Sequence, residues 1–171
     1  MTTNATTQQA VDFLNGTGAD HLGRTVTDYL AFDDAEWERC HNHVQWAFPS
    51  NEASLYNPHA PVVDMQELKA KLTIAGAINV GQLVESFTKF LGLEQSNGVW
   101  MIVDTDKFQW LEPHNHNFLR ITRLLNLLSV INENDALGLL GVLLFIANVS
   151  DAIDKRTVVF WSRAAIGELS V

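Results

Sequence analysis

His114-Asn115-His116-Asn117-Phe118-Leu119-Arg120-Ile121-Thr122-Arg123-Leu124-Leu125-Asn126-Leu127-Leu128-Ser129-Val130-Ile131 is the stretch on which the fold turns. Phe118, Ile121, Leu125 and Leu128 recur at helical spacing, and Leu124, Leu127 and Ile131 widen the stripe until little of the circumference stays polar. A helix this apolar belongs inside a protein. The polar residues that precede it, from His114 to Asn117, can satisfy the open N–H groups of its first turn.

Downstream, Asn132 to Asp135 interrupt the pattern before a second apolar run from Ala136 to Ala147. That run falls short of the roughly 20 residues that a membrane span needs, so it reads as a core helix. Its Gly138 and Gly141 would let a neighbouring helix approach closely. A last helix is expected over Asp151 to Ile166, closed by Gly167.

Upstream, three capping signatures mark helix starts: Asp33 with Glu36, Asp64 with Glu67, and Asn79 with Gln82. Trp37, His41, Val44 and Phe48 then predict one continuous stripe that ends at Pro49, with His41 and Cys40 on its buried side. Asn57-Pro58 and Ala60-Pro61 disfavour helix across the following segment. Leu83, Val84, Phe87, Phe90 and Leu91 line one side of the helix that stops at Gly92. Val99 to Val103, after Asn97-Gly98, has a β-leaning composition but no evident partner, and is expected to be extended or irregular. Ala10, Phe13 and Leu14 suggest a short first helix, and the glycines of residues 15–23 miss the G-x-G-x-x-G spacing and read as a loop. The fold expected is an all-α single-domain bundle of six or seven helices with a long ordered loop around residues 49–63. Residues 1–8 form a disordered tail and residues 9–171 the domain.

The 171 residues carry a net charge of −9 and only 11 Lys and Arg, which argues against a protein that grips a nucleic-acid backbone. With 47% apolar residues the composition is that of a globular domain. Cys40 is the single cysteine, and the first residues lack a charged and apolar leader pattern, so a cytoplasmic location is expected. The five tryptophans are scattered, and most should lie in the core.

His-Asn-His occurs twice, at residues 41–43 and 114–116. Four imidazoles could bind zinc, nickel or copper, although residues two apart on a helix do not face the same way. Arg120 and Arg123 share one face of the opening helix, where they either pair with carboxylates or receive an anion such as a peptide carboxylate. No nucleophile elbow, zinc-protease, P-loop or cysteine–histidine signature points to catalysis.

Two strings have a further meaning. Val44-Gln45-Trp46-Ala47-Phe48-Pro49 with Asn57-Pro58 and Ala60-Pro61, and His114 to Leu125 with its H-x-H-N-x-L-R-I-T-R pattern, resemble the two signatures of the opioid growth factor receptor family in order and separation. His43 stands where that pattern has Tyr, and Ala47 where it has Leu. The resemblance covers roughly residues 20 to 150. It implies a helical domain and, for the animal members, a receptor for an enkephalin peptide at the nuclear envelope, a peripheral membrane association.

The expectation that follows is a non-enzymatic binding module for a peptide or protein partner, with no cofactor. Its surface would be lined by Gln45, Trp46, His116, Asn117, Arg120 and Arg123, joined by Asn57 of the first string. Two alternatives stand beside it. One is a metal-dependent enzyme using His41, His43, His114 and His116; the other is an acidic protein that blocks a partner's basic surface.

Overall fold

A computed structural model describes residues 6–54 and 57–168; most of the expected tail lies outside them. Among the described residues there are nine α-helices, one 3-10 helix and two short strands. The chain divides into two compact units, one ending at Phe87 and the other starting at Thr88.

The first unit is made of short helices around an aromatic core. They are α1 (Thr7–Leu14), α2 (Val26–Leu30), α3 (Asp34–Arg39), α4 (Val44–Ala47), α5 (Met65–Lys71) and most of α6 (Ile74–Phe90). α1 starts earlier than expected because Thr6 and Gln9 form a capping box, which orders residues 6–8. Asp33 and Glu36 do the same for α3, and Asp64 caps α5 by accepting from Gln66 N and Glu67 N. Asn79 is not a cap. It lies inside α6, and its side chain donates to Leu14 O.

The single stripe expected from Trp37 to Phe48 breaks into α3 and α4, because Cys40 adopts an extended conformation (ψ 124°) and ends the first helix. Phe13, Tyr29, Trp37, Trp46, Phe48 and Phe87 are all fully or almost fully buried. Their rings meet at 4.9 Å (Phe13–Tyr29), 5.6 Å (Phe13–Trp46) and 5.3 Å (Trp37–Phe87), within the range of favourable aromatic pairs. Within the loop after α4, Ser50 and Val62 form a parallel bridge.

The second unit contains α7 (Asn117–Ile131), α8 (Glu133–Val149) and α9 (Lys155–Ala165), which pack on one another, and a hairpin that packs on α8. Most of the apolar stripe of α7 is covered, with Ile131 half-buried and Leu119 exposed. Phe118, Ile121, Leu124, Leu125, Leu127 and Leu128 are buried, and each contributes roughly 1.5–3 kcal/mol of burial. Trp161 of α9 donates to Phe118 O at 3.0 Å, and its ring meets Phe118 edge to face.

The all-α expectation is corrected here. Val99 to Ile102 is strand β2, antiparallel to β1 (Leu93–Ser96), with Leu93 opposite Ile102 and Ser96 opposite Val99. Asn97 and Gly98 both have positive φ (51° and 77°) and make the two-residue turn that such a hairpin needs. β1 reads Leu-Glu-Gln-Ser, with no β-branched residue to signal a strand. Gly138 receives the Trp100 ring of β2 rather than a helix: a Cβ there would lie 2.9 Å from the ring. The helix count exceeds six or seven in part because the stripe expected from Trp37 to Phe48 splits into α3 and α4, and because the five-residue α2 is too short to show a period. Among the described residues no helix is long and apolar enough to cross a membrane.

Candidate functional site

The expected site residues fall into two groups, one in each unit. In the first unit, Gln45, Trp46 and Asn57 come together within a closed circuit of polar contacts. The circuit starts at Asp20, whose carboxylate accepts from Leu22 N (2.8 Å), Arg24 N (2.9 Å), Arg24 Nε (2.7 Å) and the Tyr29 hydroxyl (2.7 Å). The glycine-bearing loop is thus wound around a carboxylate and offers no cradle for a phosphate. Arg24 continues the circuit by donating to Asn42 Oδ1 at 2.9 Å, and Asn57 donates to Asn42 O (3.3 Å) and Gln45 Oε1 (3.4 Å).

Asn57 also shapes its own turn, accepting from His59 N (3.1 Å) on its side chain and from Ala60 N (3.1 Å) on its carbonyl. This Asx turn presents His59, whose ring stacks on His21 with centroids 4.9 Å apart and 13° between planes. His21 in turn lies nearly parallel to Trp46 at 6.3 Å. Because His21 follows Asp20 in the chain, the circuit closes on itself. The result is a three-ring stack that runs from exposed His59 through half-buried His21 to buried Trp46.

Among the described residues, two polar atoms of this stack have no hydrogen-bond partner: Trp46 Nε1 and His21 Nδ1. A buried polar group left so costs about 1–3 kcal/mol. Electrostatics sharpen the picture. Burial pushes the His21 imidazole below its ordinary pKa, with His59 and Arg24 adding to this and Asp20 opposing it. Burial would raise the Asp20 carboxyl, but the bonds from Tyr29 and Arg24 more than offset it and hold the group below its usual range. Tyr29, buried beside that carboxylate, is pushed far up and stays a donor.

The second group opens α7. Asn115 Oδ1 accepts from Asn117 N at 2.9 Å, and Arg120 Nη1 donates to Asn117 Oδ1 at 3.1 Å. Arg120 and Asn117 are buried, whereas Arg123 and His116 are half-buried. His116 is the N-cap residue of α7, and its side chain makes no capping bond.

The metal alternative loses its donor set. His41, expected on the apolar stripe, is exposed with Nδ1 2.7 Å from Arg39 O. His43, expected on a flank, is the core histidine instead, walled by Tyr29, Phe32 and Trp37 at 5.0 to 5.7 Å. The break at Cys40, itself half-buried at the end of α3, is what exchanges the two faces. Among the described residues no cluster of three or more His, Cys, Asp or Glu is placed to hold a metal ion.

Asp20, His21, Arg24, Asn42 and His59 were not predicted from the sequence. They belong to loops and helix ends, where no periodicity marks them, and only the Asp20/Arg24 spacing hints at a pair.

These elements define a mostly helical protein with one small two-stranded sheet. The chain belongs to the opioid growth factor receptor family: residues 21–153 match the conserved region of the opioid growth factor receptor (OGFr). The match begins at His21 and takes in both strings, the stack and most of the second unit. No curated protein matches the chain, and no solved structure does.

Proposed function

We propose that the protein is a non-enzymatic binding module that recognises a peptide or a peptide-like segment of a protein partner at the His59–His21–Trp46 stack. The observation that carries this reading is the buried Trp46 Nε1, left without a partner among the described residues beneath two stacked imidazoles. An indole N–H can only donate, so the complementary ligand group is an acceptor, and an extended peptide offers one carbonyl per residue. Gln45 and Asn57 add amides at the same place, already oriented by Asn42 and Ser54. Exposed His59 is the ring a partner can stack against or displace. Aromatic anchors beside a few fixed polar groups are the usual make-up of a recognition surface.

The test is a peptide-display selection against the full chain, with enkephalin-type peptides included as defined probes. Selected peptides are expected to lose at least about tenfold in affinity on His59→Ala and on Trp46→Phe, which keeps a ring but removes the N–H. If no peptide is enriched, or if both variants bind as the parent does, the reading fails.

A further inference from the structure

The outer face of helix α9 runs against the charge of the chain. Trp161, Ala164 and Ala165 are buried, while Lys155, Arg156, Val159, Phe160, Arg163 and the C-cap residue Ile166 are exposed. At about 100° per residue the six exposed positions share one arc of about 140°, with cations and apolar side chains interleaved. Val159, Phe160 and Ile166 are 49%, 39% and 50% exposed. No Asp or Glu lies between Asp154 and Glu168, and Asp154 is the N-cap, where it accepts from Thr157 N at 2.6 Å. Among the described residues none of these three cations is held in an ion pair. The chain carries −9, so this face is a local reversal of sign.

Helix stability does not account for the composition. Lys155 and Arg156 stand in the first turn, where the helix dipole disfavours cations and where no acidic residue is present. Val159 and Phe160 lose rotamer freedom on a helix surface, which a straight polar chain there would keep. The Arg156 guanidinium carbon lies 5.6 Å from the centre of the Phe160 ring, so cation and ring are presented together.

We propose that this face docks an acidic segment of a partner protein, one with apolar side chains among its carboxylates. Charge complementarity selects the occupant. Three cations call for carboxylates, and the exposed Val159, Phe160 and Ile166 between them call for apolar groups at the same spacing. The other negative surface, an anionic bilayer, fits less well. A helix lying on a membrane buries its apolar face in the lipid, but that face of α9 is inside the fold. A bilayer also confronts the whole acidic chain with negative charge, whereas a segment brings its carboxylates to the cations alone. The 11 residues of α9 span about 16 Å, which gives a small, transient interface with Arg and Phe as its anchors.

The test is a peptide-display selection on the full chain, from which peptides also retained by the Arg156→Glu/Arg163→Glu double variant are subtracted. Subtraction removes peptides that bind at the stack. The survivors are expected to combine several Asp or Glu with Leu, Ile, Met or Phe. Their affinity should fall at least about tenfold on the double reversal and on Phe160→Ser. Exchanging their acids for Lys should transfer binding to the double variant. All three substituted residues are exposed, so the variants should fold, and unchanged circular dichroism spectra check that they do. The proposal is overturned if no peptide survives subtraction, if the survivors show no acidic excess, or if Phe160→Ser binds as the parent does. It is also overturned if the double reversal instead abolishes binding to vesicles of equal parts phosphatidylserine and phosphatidylcholine, or abolishes self-association in sedimentation, while no peptide is bound.

Discussion

The two His-Asn-His tripeptides are identical in sequence and opposite in use. The first occupies the break between α3 and α4: His41 faces water, Asn42 accepts from Arg24 and Asn57, and His43 is sealed among three aromatic rings. The second precedes α7: His114 takes a left-handed conformation (φ 64°), Asn115 Oδ1 accepts from Asn117 N at the helix start, and His116 stays half-buried. The first is tied by hydrogen bonds to Arg24 and Asn57, segments distant in sequence, whereas Asn115 of the second bonds two residues on, to Asn117 N. A tripeptide acquires its role from what it interrupts, here an aromatic core in one case and a helix start in the other.

The comparison can be broken most severely at Asp20, the charge on which the first triplet's surroundings depend. Asp20→Ala removes the acceptor of Arg24 and Tyr29 and should cost about 3 kcal/mol or more in urea unfolding, as loss of one partner of a buried pair does. A cost equal to that of losing a helix cap would show the circuit to be incidental. Next, His43→Ala should cost about 3 kcal/mol as a large core deletion, against less than about 0.5 kcal/mol for exposed His41→Ala. Equal costs would mean that one helix runs through Cys40 after all.

A third pair isolates the central asparagines. Asn115→Ala should cost about 1 kcal/mol through loss of the bond from Asn117 N, measured by the unfolding midpoint. Asn42→Ala should cost about as much and in addition weaken peptide binding at the stack, which Asn115→Ala should not do. The smallest effect is on pH dependence. The folded His21 imidazole binds its proton less readily than the unfolded one, so the stability tied to it is complete above about pH 6.5. It declines as pH falls from there through the folded value. His21→Phe should flatten that decline, and Asn115→Ala should leave it unchanged.

Much of the helical scaffold was legible because helices announce themselves by period and by caps. The stripe of α7, the run of α8, the Asp33/Glu36 box and the closing Gly167 all rest on contacts within a few residues, which a sequence displays directly. The candidate site was half legible. Gln45, Trp46 and Asn57 stood out through their strings, yet His21 and His59 did not, because a ring stack between residues 38 apart leaves no local trace.

By itself, then, the sequence determined a mostly helical chain, the buried character of its tryptophans, the start and end of α7, and the family to which it belongs. Tertiary structure alone decided which histidine enters the core, that Leu93–Ser96 is a strand, and that a carboxylate at Asp20 organises the loop around it. The physical reason is range. Period and capping act within a turn or two of helix, whereas strand pairing, ring stacking and buried charge depend on neighbours that only folding brings within reach.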